Sequence, residues 1–438
     1  TDVMALCQGR LPGSVHYPYK TYKTADRVPL HTTVRLNVAA SAMMATRVHR
    51  KVMVPIANGT EPMEAVTLIC VLRRAGATVT LASVERQLTV DACHGVKIAA
   101  DELLSDCCDG VFDLIALPGG MPGAAKLRDT EILEGMVKKQ AAEDRLYAAI
   151  CAAPAVALAS WGLLKGLKAT CHPSFMEQLS SCAKATESRV QQDGKVLTSR
   201  GAGTAMEFSV ALVEQLFGKQ KADEVFEQLI MASKLGDEYV ETELNAMNWT
   251  FDGGCPRVLV PIANGMDESE AVIIIDILRR AKMSVMVASV KDDLETNGCH
   301  NVKIVGDIHI ADEAVTPSYD LIVLPGGFCG AQAFSMSPKL VDLLKKQAAS
   351  QRPYAAICAS SAMVLEPHGL LTGKKATTYP STSDMLLEQS EIEKRVVIDG
   401  NLMTSIGPGT CMEFSLAIVE KMLGHEKALQ LSKAMVFA

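Results

Sequence analysis

The stretch KVMVPIANGTEPMEAVTLICVLRRAGATVTLASV, residues 51–84, contains a strand, a helix and a second strand in succession. KVMVPIA is a short apolar run typical of a buried strand. EAVTLICVLRRAG carries apolar residues at helical spacing and ends at a stop signal, Gly76. TVTLASV is again a strand, and FDLIALP and LYAAI further along predict two more. Strands that alternate with helices predict a parallel sheet covered on both faces, which is an α/β doubly wound sandwich.

The same order of segments occurs a second time in the chain. The matched pairs are residues 50–84 with 256–290, 112–124 with 319–331, and 193–218 with 399–424. Several long matches in one order exclude chance, and repeats of this length are duplicated domains rather than solenoid units. We therefore predict two tandem sandwiches, at residues 51–244 and 257–438. The Gly pair and the Pro of NAMNWTFDGGCP, residues 245–256, indicate the linker.

Residues 1–50 differ in composition from the rest of the chain. They are rich in Arg, Lys, Ser, Thr and Ala, and Asp2 and Asp26 are their only acids. This composition suits an organellar transit peptide, and VRLNVAASAMM looks like the small-residue end of a plastid presequence. The alternative is a disordered extension, with initiation at Met43 or Met44. We expect the chloroplast in the first case and the cytoplasm in the second.

The bulk composition excludes several classes of protein. Hydrophobic residues make up 48% of the 438 residues and charged residues 21%, which is ordinary for a globular chain with a sizeable core. The net charge of −7 provides no broad basic field, so nucleic acid is excluded as the main partner. No apolar run reaches the roughly 18 residues that a membrane helix needs, so no membrane association is expected.

The thirteen cysteines require a separate interpretation. The count is odd and the chain is too large to need disulfide staples, so we predict a reducing compartment and mostly buried thiols. DCCDG, residues 106–110, has no second Cys/His pair at zinc-finger spacing.

Two cysteines are distinguished by their position. YAAICAAPAVALASWGLL, residues 147–164, places Cys151 between a strand and a helix, and YAAICASSAMVLEPHGLL places Cys358 likewise. Ligands of open α/β sheets bind beyond the carboxyl ends of the strands, and a helix N-terminus favours negative charge. Both effects favour the nucleophilic thiolate, in the geometry of a nucleophile elbow whose bend suits the small neighbours Ala152 and Ala359. A buried structural cysteine is the alternative, and it is less favoured for a matched pair.

A second strand-to-loop junction carries the sequence LPGG in both repeats. Its glycines are Gly119 and Gly120 in the first repeat and Gly326 and Gly327 in the second. Because glycine lets backbone N–H groups approach a ligand closely, Gly120 and Gly327 could form an oxyanion hole with the N–H after each cysteine. A plain turn is the alternative.

Acidic residues follow the first strand of each repeat. Glu64 and Glu270 each lie among apolar residues one turn into a helix. A desolvated carboxyl there would titrate at higher pH and could hand a proton to the thiolate or to a substrate. Helix capping is the alternative for acids at a helix start.

Together these segments resemble the DJ-one family of the ThiJ/PfpI superfamily. The resemblance covers nearly all of residues 51–438 as two copies, and tandem copies are similar to the plant members. It implies a flavodoxin-like sandwich, akin to class I glutamine amidotransferases, in each copy. Family members pair as dimers, so the resemblance also implies that the two repeats pair within the chain, with further oligomerisation open.

The resemblance implies a role for each matching residue. The nucleophiles are Cys151 and Cys358, the carboxylic acids that hydrogen-bond to them are Glu64 and Glu270, and the backbone anion sites are Gly120 with Ala152 and Gly327 with Ala359. His172 in TCHPS matches the family histidine near the cysteine, whereas Tyr379 stands at that place in the second copy. Tyrosine donates a hydrogen bond but is no neutral base near pH 7. We therefore expect the two sites to differ in rate or task.

The implied activity is that of a glutathione-independent, glyoxalase III-type enzyme. It would convert methylglyoxal to D-lactate, and glyoxal to glycolate, through a hemithioacetal on the cysteine. This chemistry needs no metal and no organic cofactor, and the substrate is a small reactive dicarbonyl. A deglycase would use the same thiol on glycated amines.

A non-enzymatic function is the alternative. An accessible thiolate oxidises to sulfinic acid, which a neighbouring protonated Glu could stabilise. The protein would then be a redox-sensing, chaperone-like protein that acts through its elbow cysteines. In a third interpretation, the second copy is mainly a packing partner.

Overall fold

The computed structural model describes residues 49–232, 241–251, 253–312 and 319–437. The expected transit peptide or extension at residues 1–50 lies outside this part of the chain, except for its last two residues. The localisation therefore stays a prediction.

The first repeat contains the following elements in chain order. Its strands are β1 (Lys51–Ile56), β2 (Thr78–Ser83), β3 (Thr89–Asp91), β4 (Lys97–Ala99), β5 (Glu102–Leu103), β6 (Leu114–Leu117), β7 (Leu146–Ile150), β8 (Lys168–Ala169), β9 (Lys184–Ala185), β10 (Val190–Asp193) and β11 (Val196–Ser199). Its helices are α1 (Pro62–Arg74), α2 (Leu104–Cys107), α3 (Gly123–Arg128), α4 (Glu131–Ala142), α5 (Met176–Ser180), α6 (Ala205–Phe217) and α7 (Lys219–Leu229).

The remaining elements form the second repeat. The strands are β12 (Glu241–Leu244), β13 (Arg257–Ile262), β14 (Ser284–Ser289), β15 (Glu295–Asn297), β16 (Lys303–Val305), β17 (Ile308–His309), β18 (Leu321–Leu324), β19 (Tyr354–Ile357), β20 (Val396–Asp399) and β21 (Leu402–Ser405). The helices are α8 (Glu268–Arg280), α9 (Phe328–Ser335), α10 (Pro338–Ala349), α11 (Cys411–Leu423) and α12 (His425–Ala434).

Each repeat is built on one large, mainly parallel sheet. The first has the order β10-β11-β7-β6-β1-β2-β5, and the second repeats it as β20-β21-β19-β18-β13-β14-β17. The pairs β10–β11 and β20–β21 are antiparallel at the edge. The strand order reverses at β1 and at β13, so the edge beyond their carboxyl ends is where such sheets bind ligands. The predicted fold, two tandem flavodoxin-like α/β sandwiches, is confirmed.

Strand β12 departs from the expected domain boundary. It pairs in parallel with β20, from Glu241 opposite Val396 to Leu244 opposite Asp399, and so belongs to the second sheet. The indole nitrogen of Trp249 in the expected linker donates to the carbonyl of Gly400 at 2.9 Å. A short strand that joins a sheet by backbone hydrogen bonds leaves no pattern in the sequence that identifies its sheet. The sequence pattern alone therefore places residues 241–244 in the first repeat.

The two repeats are joined through α1, α8 and a small shared sheet. Helices α1 and α8 pack against each other, and eleven of the thirteen residues in each are buried. Strand β16 pairs antiparallel with β4, which places Ile304 opposite Ile98 in a four-stranded sheet ordered β15-β16-β4-β3. One apolar cluster contains residues of both repeats. Because α1 is covered on several sides, it is apolar around much of its circumference.

Two sequence expectations concern the surface and the cysteines. Among the described residues, every helix is too short or too polar to span a lipid bilayer. The twelve described cysteines are all free thiols. Only four of them are buried, namely Cys70, Cys171, Cys358 and Cys411, so the prediction of mostly buried thiols is wrong. The reason is that many of these cysteines lie on loops and helix ends rather than in the strands.

The end of each repeat lies against a glycine loop of the other repeat. The N–H of Gly203 donates to the carbonyl of Met435 at 2.8 Å. A Cβ added to Gly203 would lie 2.5 Å from the backbone nitrogen of Phe437. In the second repeat a Cβ on Gly409 would lie 2.5 Å from the carbonyl oxygen of Leu229. The TSRGAGT and TSIGPGT segments therefore serve as docking loops for the C-terminal end of the opposite repeat.

We predict that Gly203→Ala destabilises the protein by about 1–3 kcal/mol, because the added methyl overlaps the backbone of residues 436–437. The matched control is Gly135→Ala, since Gly135 is exposed on α4 and its Cβ would meet nothing within 4 Å. That substitution should stabilise by roughly 0.5–1 kcal/mol. Urea unfolding followed by circular dichroism measures both changes. Equal stability of the two variants would contradict the docking contact.

Candidate functional site

Three loops at the carboxyl ends of neighbouring strands form the candidate site of the first repeat. Strand β1 pairs with β6, and β6 pairs with β7. Glu64 lies in the first turn of α1 after β1, Gly119 follows β6, and Cys151 directly follows β7. The second repeat builds the same arrangement from Glu270, Gly326 and Cys358, so the sheet order brings the predicted residues together.

The cysteine of each site occupies a left-handed backbone conformation. Cys151 has φ = 65° and Cys358 has φ = 59°. Such values are uncommon for residues other than glycine and cost roughly 1–3 kcal/mol unless the surroundings hold them. Hydrogen bonds hold both sides of Cys151. Its N–H donates to the carbonyl of Ser199 at 3.0 Å, and its carbonyl accepts the N–H of His172 at 2.8 Å.

The glycine loop packs directly on the cysteine and the glutamate. A Cβ on Gly119 would lie 2.5 Å from Cys151 Cβ and 2.8 Å from Glu64 Oε2. A Cβ on Gly326 would lie 3.0 Å from Cys358 Sγ. The first glycine of the loop is therefore needed so that the loop can approach the cysteine and the glutamate closely. This steric role is separate from the N–H groups that the LPGG sequence predicts as an oxyanion hole.

Backbone N–H groups also face the two sulfurs. The N–H of Gly120 lies near the sulfur of Cys151, and the N–H groups of Gly327 and Ala359 lie near that of Cys358. These groups act to lower the pKa of the thiols and can donate hydrogen bonds to a developing oxyanion in their vicinity.

A buried carboxyl lies beside each sulfur. The Oε2 atom of Glu64 accepts the N–H of Gly119 at 2.7 Å, and Oε2 of Glu270 accepts the N–H of Gly326 at 2.7 Å. The Oε1 atom of each glutamate is buried without a hydrogen-bond partner among the described residues. The thiol of each site lies close enough to the carboxyl to affect its pKa, so the sulfur is the group available to Oε1.

Burial raises the pKa values of both members of the Glu64–Cys151 pair. The pKa of Glu64 rises to about 7 because the carboxyl is desolvated. Burial and the neighbouring Glu64 carboxylate raise the pKa of the Cys151 thiol well above its ordinary range. The pair therefore loses one proton near neutral pH and resists losing the second. The sequence argument expected a lowered thiol pKa because the helix start was weighed without burial or the adjacent carboxylate.

His172 and Tyr379 each connect their site to the other repeat. The Nδ1 atom of His172 accepts the N–H of Ser174 at 3.2 Å, so Nε2 carries the proton and faces the carbonyl of Ala434 at 3.2 Å. The hydroxyl of Tyr379 donates to the carbonyl of Gln228 at 3.1 Å. Both imidazole nitrogens of His172 are thus engaged by backbone groups. The structure places His172 next to Cys151 as a positioning contact rather than as a partner of Glu64.

The two sites differ in how open they are. Cys151 as a whole residue is partly exposed although its sulfur is enclosed by protein, whereas Cys358 is buried with 7% exposure. In the second site Tyr379 replaces the smaller His172, and burial raises the pKa of its hydroxyl. Access therefore favours the first site.

Sequence reasoning missed an arginine that each repeat contributes to the other's site. The Nη2 atom of Arg280 lies 3.0 Å from Oε1 of Glu61, whose carboxylate also caps α1 through the N–H of Met63. In the second site Arg74 lies 3.4 Å from Asp267. The positive charge of Arg280 lowers the pKa of Glu64, against the effect of burial. The signal for these arginines in the sequence is the segment LRR, which places two arginines at the end of both α1 and α8.

The elbow thiol, buried acid and glycine loop define a cysteine-centred site on a flavodoxin-like sandwich. The chain matches the DJ-1/PfpI family over residues 50–215 and again over 256–421, and it belongs to that family. It is similar to Protein DJ-1 homolog B of Arabidopsis thaliana, with 58% identity over 418 residues that cover 95% of each chain. The prediction of a tandem, plant-type family member is therefore confirmed.

Two further proteins each match about one repeat of this chain. Glutathione-independent glyoxalase DJR-1.2 of Caenorhabditis elegans is 33% identical over 173 residues, which are 39% of this chain and 91% of that protein. The solved structure of oxidized Toxoplasma gondii DJ-1 is 44% identical, with a TM-score of 0.41, and covers 42% of this chain and 99% of that one.

We predict that alkylation of Cys151 shows one titration step near pH 7, because the Glu64–Cys151 pair gives up its first proton there. Glu64→Gln should remove that step, since the thiol then titrates alone. Mass spectrometry of the Cys151 peptide after timed iodoacetamide treatment at a series of pH values measures the rate. Glu131→Gln, an exposed acid on α4, is the control that should keep the step. Persistence of the step in Glu64→Gln would show that the pair is not coupled.

Proposed function

We propose that the chain is a glutathione-independent glyoxalase that converts methylglyoxal and water to D-lactate, and glyoxal to glycolate, mainly at the first site. The carrying observation is the position of the Cys151 thiol beside the buried Glu64 carboxyl, whose Oε1 has no hydrogen-bond partner in the described part of the chain. A pair that holds one proton near pH 7 can release it and take it back within a catalytic cycle. The similarity to a relative named as a glutathione-independent glyoxalase supports the proposal.

The first step forms a carbon–sulfur bond. The sulfur of Cys151 adds to the aldehyde carbon of methylglyoxal, while the thiol proton passes to Glu64. The carbonyl electron pair moves onto the aldehyde oxygen, next to the N–H of Gly120. Return of the proton to that oxygen completes a hemithioacetal. The short path between sulfur and carboxyl makes both transfers local.

The second step moves hydrogen between the two substrate carbons. Glu64 removes the proton from the carbon bonded to sulfur, which gives an enediolate, and returns it to the neighbouring carbon while the hydroxyl proton of the first carbon passes to the neighbouring oxygen. The product of this transfer is a lactoyl thioester on Cys151. Water attacks the thioester carbonyl, lactate leaves, and the sulfur recovers its proton. The sum is methylglyoxal plus water to lactate, with no net oxidation.

Because the two sites are unequally exposed, we expect them to turn over substrate at different rates. Cys151 is partly exposed and Cys358 is buried. A substrate must reach the sulfur before the hemithioacetal forms, so the first site turns over faster in this proposal. The second site keeps the same Glu270–Cys358 contact and differs chiefly in access and in Tyr379.

We predict that Cys151→Ala lowers lactate formation by about a hundredfold or more, because the covalent step is lost. Cys358→Ala should lower it by less than about twofold, and the double variant should resemble Cys151→Ala. The measurement is lactate formed from methylglyoxal without glutathione, in an amine-free buffer so that no glycated amine contributes. Cys182→Ala removes an exposed thiol elsewhere and should leave the rate unchanged. Full activity in Cys151→Ala would rule the proposal out.

One observation favours a second function, redox sensing. A protonated Glu64 beside Cys151 can donate a hydrogen bond to a sulfinate, which would stabilise that oxidation state. In this alternative, peroxide adds two oxygen atoms to Cys151 and a chaperone-like activity appears. Protection of a client protein by peroxide-treated Glu64→Gln chain that makes no lactate would favour the sensor over the enzyme.

A further inference from the structure

Two overlapping groups of metal-ligating side chains lie at the repeat interface, outside the proposed reaction. Cys70 lies in the middle of α1, and Glu268 is the first residue of α8. Cys299 and His300 lie on the loop between β15 and β16. One ligand comes from the first repeat and three from the second, so the cluster spans the interface.

Three of the ligand atoms, on Glu268, Cys299 and His300, have separations close to those around a tetrahedral ion. The Sγ of Cys299 lies 3.5 Å from Oε2 of Glu268 and 3.1 Å from Nδ1 of His300. Those last two atoms are 3.6 Å apart. Zinc–sulfur bonds of about 2.3 Å and zinc–nitrogen or zinc–oxygen bonds of about 2.0–2.2 Å put tetrahedral ligands roughly 3.3–3.6 Å apart. Ligand atoms of Cys70, Glu268 and His300 all lie within 4.8 Å of one another, and those of Asp267, Cys299 and His300 form a second such group.

Contacts from both repeats hold these ligands in place. The Nη1 atom of Arg73 donates to the carbonyl of His300 at 2.9 Å and to that of Asn301 at 2.7 Å, which ties the loop to α1. The Oε1 atom of Glu268 accepts the N–H groups of His300 at 2.9 Å and Val302 at 3.1 Å. Oε2 is then left to face the thiol and the imidazole. Such supporting hydrogen bonds are what orient ligands in metal sites.

The charge of Glu268 has no full counterion in the described part of the chain. Its side chain is fully buried, and His300 is its ion-pair partner there. The nearby Arg74 pairs with Asp267 instead. A buried carboxylate is costly unless a cation or metal compensates it. This unbalanced charge is a second indication, independent of ligand spacing, that a cation belongs here.

The corresponding place in the other half is closed by ion pairs. Asp276 stands where α1 has Cys70, and Pro62 stands where α8 has Glu268. There the Nδ1 of His94 lies 2.7 Å from Asp276, and the Nε of Arg280 lies 2.5 Å from its other oxygen. Within the residues described, groups with metal-ligating geometry occur at the Cys70 end alone. Two sequence differences therefore convert a charge-paired contact into a set of donors.

We propose that Cys70, Glu268, Cys299 and His300 bind one zinc ion that cross-links the two repeats. Two thiolates and an imidazole favour zinc over magnesium or calcium, which prefer oxygen ligands. The thiols release their protons to solvent as the metal–sulfur bonds form. Cys299 is exposed, so the ion enters from the loop side. Because one ligand lies on α1, the ion stabilises the association of the repeats in addition to the loop.

The test is a zinc titration of the metal-free, full-length chain against a chromophoric chelator. The background is Cys151→Ser with Cys358→Ser, so that the elbow thiols do not contribute. We expect one tightly bound zinc per chain and a thiolate-to-metal charge-transfer band with cobalt. Cys299→Ser and His300→Gln should each weaken zinc binding by about a hundredfold or more, since outer-shell changes alone cost 10–100-fold. Cys70→Ser should do the same.

Cys93→Ser is the matched control, because Cys93 is the counterpart of Cys299 in the closed half. It should keep the zinc affinity and the cobalt band. Zinc should also raise the unfolding midpoint of the background protein and leave that of Cys299→Ser unchanged. His300→Gln and Cys299→Ser lie at the surface loop, so they decide the outcome if Cys70→Ser does not fold. Binding of less than one equivalent, or equal affinity in Cys299→Ser and Cys93→Ser, would overturn the proposal.

Discussion

The packing of α1 against α8 is the constraint on which the rest of the molecule depends. Each helix begins with the acid of its own site and ends with the arginine that reaches the opposite site. Eleven of thirteen residues are buried in each, so neither helix can shift without disturbing both sites. Association of the repeats is therefore part of site construction, since the pKa of Glu64 responds to Arg280 from across the interface.

The site itself combines two energetically unfavourable features, a strained backbone and a buried carboxyl. The elbow holds Cys151 in a left-handed conformation, and the same loops bury a carboxyl with one oxygen left for the sulfur. Strain and burial of this kind persist only where the surroundings over-determine them. Here the C-terminal end of each repeat docks on the glycine loop of the other repeat, through Met435 and Leu229. This contact supplies the rigidity. Stability of the interface and chemistry at the sulfur are thus linked.

Local patterns in the sequence were sufficient for much of this architecture. Strand and helix periodicity, the duplication, the elbow cysteines and the acids one turn into α1 and α8 all follow from spacing along the chain. Features that depend on which surfaces meet in space could not be predicted from these patterns. The sheet joined by Glu241–Leu244, the contact of His172 with Ala434 and the arginine of the opposite repeat belong to this group.

The direction of the thiol pKa was misjudged for a related reason. The start of a helix is visible in a sequence, whereas burial of the sulfur and its contact with a carboxyl depend on tertiary packing. Glu64 was expected to titrate upward if desolvated, and burial indeed raises its pKa. The error lay in expecting a thiolate beside a protonated Glu64, because burial and the charge of Glu64 raise the pKa of the Cys151 thiol.

Strand β12 has a consequence for how the molecule avoids self-association. It occupies the outer edge of β20, whose residues Val396–Asp399 are all buried. An open edge of that kind is a template on which foreign strands can add. The connecting segment between the repeats therefore acts as a built-in cover, and proteolytic removal of it would turn a protected sheet margin into a nucleus for aggregation.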